Sequence, residues 1–554
     1  MATAEITSEL TERPERSRLL RRHVGLTGLT FASVGSMIGS GWLFGALYAS
    51  QQAGPAALIS WGLGAVFMLS LALVYSELGG AYPVVGGTSR FPHYSHGSLV
   101  GYTAGWLWWI GAVTIAPIEV EAALQYFTRY LPWLATESGG QVVLTGQGYA
   151  VAVALLALFA VVNILGVRWL ARANTPITAW KIAIPLVAIV ALMLTRFQGS
   201  NFDAAGGFIP FGFHGVFSAM ATGGVIFAYQ GFEQAVQLGG ESANPGRNIP
   251  LAVTGAMLLG VVVYVLLQVA FLAALDPANL AHGWTALASN GLAGPFASLA
   301  SSVGLGWLAI LLYVDAAVSP GGTGLLFTAT SARASYAISR DGWWPRLVGG
   351  LSSRGIPLAA TLLSFVIGLI VFLPFPGWQK LVGFITAASS LTYGLAAIAL
   401  PALRLQDPQR ARPFRLPLAW LVAPFGFIVA NLTVYWSGWP TVWRLLVTLA
   451  LGLLVFFGYR LLGDRESLPS LDLRAGLWLL PYLAGLGVIS YLGRYDGRNL
   501  LPFWIDIAVV AVFSLAIFAL AIHLRLAPAQ AKRHARVLDP ILDNAGGRPE
   551  GPRA

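Results

Sequence analysis

Gly35-Ser36-Met37-Ile38-Gly39-Ser40-Gly41-Trp42 lies inside the first long apolar run of the chain, 26–50. Each of its glycines costs a helix interior about 1 kcal/mol relative to alanine. In hydrocarbon an unwound backbone is costlier still, because each unpaired N–H or C=O costs several kcal/mol. A break there stands only where protein or a watery cavity surrounds it, which is how midplane binding sites are built in transporters. The competing reading is a helix-packing surface, since small residues four apart let two helices approach closely.

The surrounding chain decides in favour of a membrane. Its 554 residues are 56% hydrophobic and only 10% charged, whereas soluble chains carry about 25% charged residues. The charges fall between apolar runs of about 20 residues, the length that crosses ~30 Å of hydrocarbon. Composition therefore predicts an all-α polytopic membrane protein. Spans are expected at 26–50, 55–80, 99–130, 147–168, 174–196, 213–240, 250–275, 297–338, 357–374, 379–404, 417–437, 440–462, 475–493 and 502–525, about 14 in all. Of the 33 Lys and Arg residues, 26 fall in segments that are cytoplasmic if the N-terminus is inside, six fall at outer ends, and Lys181 lies within a span. This asymmetry predicts two cytoplasmic termini in the cell membrane. It also accounts for the pI near 9.9 without invoking nucleic acid.

Residues 1–23, with Arg13, Arg16, Arg18, Arg21 and Arg22, read as a cytoplasmic tail with no cleavable leader. Residues 24–405 read as a ten-helix core, 406–462 and 463–526 as two further helix pairs, and 527–554 as a polar, basic, disordered cytoplasmic tail. Trp343-Trp344 and Trp436-Ser437-Gly438-Trp439 fall near span ends, as an interfacial belt requires. The absence of cysteine excludes disulfides and thiolate metal sites. His93 and His96 lie three apart in an expected cytoplasmic loop with no further ligand nearby, so neither a metal nor a cofactor is expected.

The sixth span repeats the anomaly of the first in Gly223-Gly224-Val225-Ile226-Phe227-Ala228-Tyr229-Gln230-Gly231-Phe232-Glu233. Spans one and six hold the same place in two successive sets of five. Paired Gly-interrupted segments of this kind point to an inverted-repeat transporter. The N-terminal end of a half-helix offers free amides and a positive dipole to a carboxylate. The unwound carbonyls of its partner suit an ammonium group. An α-amino acid carries both charges, so amides near Ser40 and Gly41 are expected to take its carboxylate. Carbonyls near Met37, Phe227 and Gln230 are expected to take its amine.

Ile38-Gly39-Ser40-Gly41 resembles the first-helix motif of the amino acid–polyamine–organocation (APC) permease superfamily. Tyr75-Ser76-Glu77-Leu78-Gly79 with Tyr82-Pro83 and Gly86-Gly87 resembles its second-span exit. Phe227 to Glu233 with Asn244-Pro245-Gly246-Arg247-Asn248-Ile249-Pro250 resembles its sixth span and following loop, and Ser339-Arg340-Asp341-Gly342 before Trp343-Trp344-Pro345 its eighth-span exit. These motifs cover residues 24–405 in order. The resemblance implies a five-plus-five inverted-repeat fold and amino-acid transport. Glu119-Val120-Glu121, the stretch Asp315 to Gly324 and the two extra C-terminal spans are similar to the bacterial aspartate–proton symporter branch. Trp42 departs from the pattern, which has a smaller aliphatic residue or Phe there, and so bears on pocket size.

The substrate site implied is the backbone and side chains of Met37, Gly39, Ser40, Gly41, Phe227, Ala228 and Gln230. Phe227 would close over the ligand as an aromatic gate, or be ordinary packing. Lys181, about eight residues into span five, either snorkels to the cytoplasmic interface or bridges span five to the broken first helix and span eight. In relatives a lysine there takes the place of a sodium ion, which argues for proton rather than sodium coupling. Glu233 either caps the half-helix or serves as a proton-sensitive carboxylate. Glu119 and Glu121 point about 200° apart on a helix, so they cannot share one site, and Glu121 is favoured as the inward-facing one. Asp315 reads as a proton carrier, a contact for the substrate amine, or half of an ion pair. Glu77 reads as a structural or gating residue.

The function expected is proton-coupled, sodium-independent amino-acid symport by alternating access, with amino acid, proton and lipid as partners. An exchanger or a polyamine carrier is the alternative within the class. Outside it stand a transporter-derived sensor and a polytopic membrane enzyme. An enzyme would need a nucleophile, a metal cluster or a phosphate loop, and the sequence shows none of these motifs.

Overall fold

The computed structural model of the chain describes residues 23–138, 141–165, 167–287, 294–352, 356–372, 377–462 and 471–538. The arginine-rich tail over 1–22, and the final tail over 539–554, lie outside them. Among the described residues the architecture is all helical apart from one short hairpin. The first apolar run forms two helices, α1 (Leu26–Met37) and α2 (Ser40–Ala53), followed by α3 (Ala57–Ala81), α4 (Gly87–His96) and α5 (Ser98–Phe127). A hairpin of β1 (Ala135–Ser138) and β2 (Gln141–Leu144) precedes α6 (Gly146–Leu165) and α7 (Val167–Thr195). The sixth apolar run is divided among α8 (Gly212–Ala221), α9 (Val225–Ala228) and α10 (Gln234–Gln237). There follow α11 (Pro245–Ala274), α12 (Pro295–Ser302), α13 (Gly306–Arg340), α14 (Leu358–Val371), α15 (Trp378–Gln406), α16 (Ala419–Trp436) and α17 (Trp439–Leu462). The chain then continues through α18 (Leu473–Gly476), α19 (Leu479–Leu492), α20 (Phe503–Leu524) and α21 (Pro528–Leu538).

Among the described residues, eleven helical stretches are long and apolar enough to cross a membrane, one of them running from Ser40 through Ala81. Shorter apolar stretches, Leu26–Met37, Gly212–Ala228 and Leu358–Val371, complete the set. The chain is thus a multi-pass membrane protein. Helices dominate because each apolar run must satisfy its own backbone groups in hydrocarbon.

α5 and α15 are buried over nearly their whole length and form the centre of the molecule. α13 packs along α5, α11 along α3 and α1, and α15 against α5 and α16. Four expectations are corrected here. The span expected over 297–338 is two helices, α12 and α13, because Val303 to Leu305 turn the chain at Gly304 (φ +81°). The hairpin of β1 and β2 lies between the spans expected at 99–130 and 147–168, where no element was expected. His93 and His96 lie on a helix, α4, not in a loop. Residues 528–538 of the tail expected to be disordered form α21, which packs on α4 and α15.

Candidate functional site

Both suspected interruptions are breaks in the helical backbone. α1 stops at Met37, and Gly39 (φ −117°, ψ −136°) turns the chain before α2 starts at Ser40. In the sixth run Gly224 is left-handed (φ +92°), and residues 229–233 form turns that include Gly231 at φ +112°. Only glycine tolerates such backbone without strain. At Gly231 the two breaks meet, since a Cβ there would fall 2.7 Å from the Met37 amide nitrogen. Ser33 ties them together. Its Oγ donates to the Phe232 carbonyl (2.9 Å) and accepts from the Ala235 amide (3.2 Å).

The polar groups at the first break are engaged by neighbouring helices. The Ser40 amide, the first donor of α2, binds Glu119 Oε2 of α5 at 2.8 Å. A carboxylate at that position also faces the positive end of the helix dipole. Ser40 Oγ accepts from Trp378 Nε1 of α15 at 3.0 Å. On the other side, Lys181 of α7 is 2% exposed. Its Nζ donates to the Gly35 carbonyl (2.9 Å) and to Thr323 Oγ1 of α13 (2.5 Å). The ammonium therefore does not snorkel; it links α7, the end of α1 and α13. The Met37 carbonyl accepts from Tyr264 Oη of α11 at 2.7 Å.

Between the breaks lies a small cavity whose walls include Glu119, Thr323, Gln230, Glu233, Phe227 and Trp108. It encloses about 20 Å³, room for about one or two water molecules. Gln230 Nε2 and Ser36 Oγ, both at its wall, have no hydrogen-bond partner among the described residues. Glu233 Oε2 accepts from the Gly231 amide at 3.0 Å, so the carboxylate caps its own break while facing the cavity. Phe227 stands edge-on to Trp378, ring centroids 5.9 Å apart. Ala228 packs against Gly41, where a Cβ would come within 3.2 Å of it.

Several sequence-derived expectations change. Glu119, not Glu121, faces the break; Glu121 is also buried but does not line the cavity. The Ser40 amide expected to receive a substrate carboxylate is held by Glu119, and the Met37 carbonyl expected to receive an amine is held by Tyr264. Asp315 lies outside the cavity wall, where its Oδ1 accepts from Trp180 Nε1 (2.8 Å) and Ser319 Oγ (2.6 Å). Trp42 packs against Phe296 of α12 (5.7 Å) and does not line the cavity, so its bulk does not set pocket size. Thr323, Tyr264 and Trp378 were not singled out from sequence. Thr323 lies in the stretch Asp315 to Gly324 and Trp378 follows the turn residues Pro376-Gly377, but neither reads as a site residue from sequence.

A polytopic helical protein with two facing helix breaks around a buried, charge-bearing cavity belongs, by its architecture, with membrane carriers. The family model described as "Amino acid permease" matches residues 24–457. The chain is 39% identical to the glutamate/serine transporter AimA of Bacillus subtilis (strain 168) over 91% of its own length and 94% of that protein. It is 36% identical to the aspartate–proton symporter of the same organism, over 90% and 95% respectively. A branched-chain amino acid permease, BcaP, also from B. subtilis, is 26% identical over 79% of the chain and 93% of that protein. This chain belongs to the amino acid permease family of the APC superfamily.

Proposed function

We propose that this protein is a secondary active transporter that moves an amino acid across the cell membrane by alternating access, in symport with protons and without sodium. Residues 24–405 form its five-plus-five transport core, four further spans bring the total to fourteen, and both termini are cytoplasmic. The relatives named for glutamate/serine and for aspartate make acidic and small polar amino acids the first substrates to test.

The observation that carries the reading is Glu119 on the Ser40 amide. That amide is the donor a substrate carboxylate needs, so Glu119 and substrate compete for one site. A proton on Glu119 removes the charge that makes its bond to the amide strong. Protonation thus frees Ser40 and Gly41 for the substrate carboxylate, while Gln230 supplies a further donor from the facing break. Phe227 and Ala228 close over the ligand, and the Met37 and Gly39 backbone shapes the turn beneath it. Lys181 holds the Gly35 carbonyl and Thr323 where a cation would otherwise be needed, which makes sodium unnecessary. Glu233 is the second protonatable group of the cavity. Asp315, beside Trp180, and Glu121, in the outer half of α5, act as gating carboxylates. The helices of spans one, two, six and seven rock against the rest.

The test is uptake of radiolabelled glutamate, aspartate and serine into liposomes containing the purified protein. An inward proton gradient is expected to drive accumulation, and a sodium gradient is not. Saturable binding without flux would identify a sensor and overturn the reading.

A further inference from the structure

A second built site lies at the membrane end of the loop that joins α15 to α16. Arg404, Arg410, Arg412 and Arg415, with Pro408, line a cavity of about 240 Å³. Among the described residues no carboxylate is in its wall. Of the two carboxylates nearby, Glu77 of α3 is fully buried and takes Arg404 Nε at 2.8 Å, with Arg412 Nε at 3.4 Å. Asp407 lies 3.5 Å from Lys532 of α21. Among the described residues four guanidiniums therefore face one cavity, and Glu77 is shared by two of them.

The donors are not used up. Arg410 commits Nε to the Ala81 carbonyl (2.9 Å) and stacks over Tyr82 (4.8 Å), which fixes its plane and leaves its two terminal nitrogens without a bond to any described residue. Arg415 is exposed and makes no hydrogen bond or ion pair to any described residue. Planar guanidinium forks match phosphate oxygens two at a time, which lysine cannot do. The neighbouring surface is apolar rather than aqueous. Leu418 is 60% exposed and Trp420 74% exposed, followed by the exposed Leu421, at the start of the membrane-crossing helix α16, and Leu405, next to Arg404 in sequence, is exposed too. A charged socket bordered by bare apolar side chains suits a ligand with an anionic phosphate at one end and hydrocarbon at the other.

We propose that this socket binds the phosphodiester headgroup of an anionic phospholipid, whose acyl chains lie along Leu418, Trp420 and Leu421. Basic pockets at the inner membrane surface take headgroups in this way. The bound lipid clamps the end of α3, through Ala81 and Tyr82, to the α15–α16 loop. The site is independent of the transport reading, because its occupant never enters the cavity between the helix breaks.

The experiment uses the full chain in detergent, with melting temperature and native mass spectrometry as readouts. Phosphatidylglycerol, phosphatidylcholine and inorganic phosphate are the three probes. Phosphatidylglycerol is expected to raise the melting temperature and to appear as a retained adduct, while phosphatidylcholine does neither. In the double variant Arg410→Gln/Arg415→Gln the half-saturating phosphatidylglycerol concentration is expected to rise about thirtyfold. Arg444→Gln/Arg498→Gln, which removes two arginines elsewhere, is expected to behave as wild type. An equal shift with phosphatidylcholine, or wild-type affinity in the socket variant, overturns the proposal. So does an equal loss of affinity in the two double variants. A full shift from inorganic phosphate alone would assign the socket to a soluble anion and overturn the lipid. Because Arg415 has no partner to lose, Arg415→Gln alone keeps the test valid if the double variant unfolds; a weaker adduct there supports the socket and an unchanged one contradicts it.

Discussion

Glu119 and Lys181 each hold a backbone group of the first break, and neither contacts the other within ion-pair distance. Their substitution should therefore separate two functions. Glu119→Gln keeps a hydrogen-bonding side chain but carries no charge and no titratable proton. We expect it to retain exchange of labelled for unlabelled amino acid across liposomes while losing accumulation under a proton gradient; a wild-type pH profile would contradict this. Lys181→Ala loses two hydrogen bonds from a charged donor, each worth about 1.5–3 kcal/mol, and is expected to lower transport in both assays by more than about tenfold. Lys181 was legible in the sequence because a lone ammonium inside an apolar run has few places to go. The choice between Glu119 and Glu121 was not. α5 is buried on all sides, so hydrophobic periodicity gives it no inward face. The direction of Trp42 was hidden for the same reason, since α2 too is surrounded by protein.

The breaks themselves follow from local chemistry and could be read to within a residue or two. Glycines mark both, and where the two backbones touch no other residue fits. Gly231→Ala forces a Cβ to 2.7 Å from the Met37 nitrogen at φ +112°, a conformation that costs about 1–3 kcal/mol in strain. We expect a lower melting temperature and strongly reduced transport. Gly62→Ala, on α3 with nothing within 4 Å of the added carbon, should leave both near wild type. Helix α21 escaped notice because its sequence is polar and basic, and its apolar stripe matters only once α4 is present to cover it. At that contact His93 Nε2 lies 3.1 Å from His534 Nδ1, with Asp472 3.1 Å beyond on the far side of His534. Burial, then the neighbouring His534 and Arg90, hold the His93 imidazole well below the usual histidine range. Folded protein thus binds fewer protons here than unfolded chain, so docking stability is full above about pH 6.5 and falls as pH drops through that value. Limited proteolysis of α21 is expected to be faster at about pH 5.5 than at about pH 7.5, and His93→Gln should flatten the difference.

For the whole molecule, membrane class, helical architecture and family were legible in composition, spacing and motif order, because hydrocarbon leaves few alternatives to helix. What depended on tertiary packing was not. Which polar groups stay free for a ligand is decided by Glu119 on the Ser40 amide, Tyr264 on the Met37 carbonyl and Trp378 on the Ser40 hydroxyl, reaching the first break from three different helices. Glu77 reads as structural or gating from the sequence, but its partners cannot be read there. It joins α3 to α15 through Arg404 and accepts the Leu416 amide at 2.7 Å. Removing one partner of a buried ion pair costs about 3–5 kcal/mol, less here because Arg404 is partly exposed. Glu77→Ala is expected to lower the melting temperature by several degrees, and an unchanged melting curve would show that the pair does not tie the two helices.

The central claim is that substrate carboxylate and Glu119 alternate on the Ser40 amide. An experimental structure of the protein with a bound amino acid, obtained at low pH, tests it most directly. The account predicts the substrate carboxylate within hydrogen-bond distance of the Ser40 and Gly41 amides and Glu119 withdrawn from them. A substrate seated elsewhere, with the Ser40–Glu119 bond intact at 2.8 Å, would contradict it.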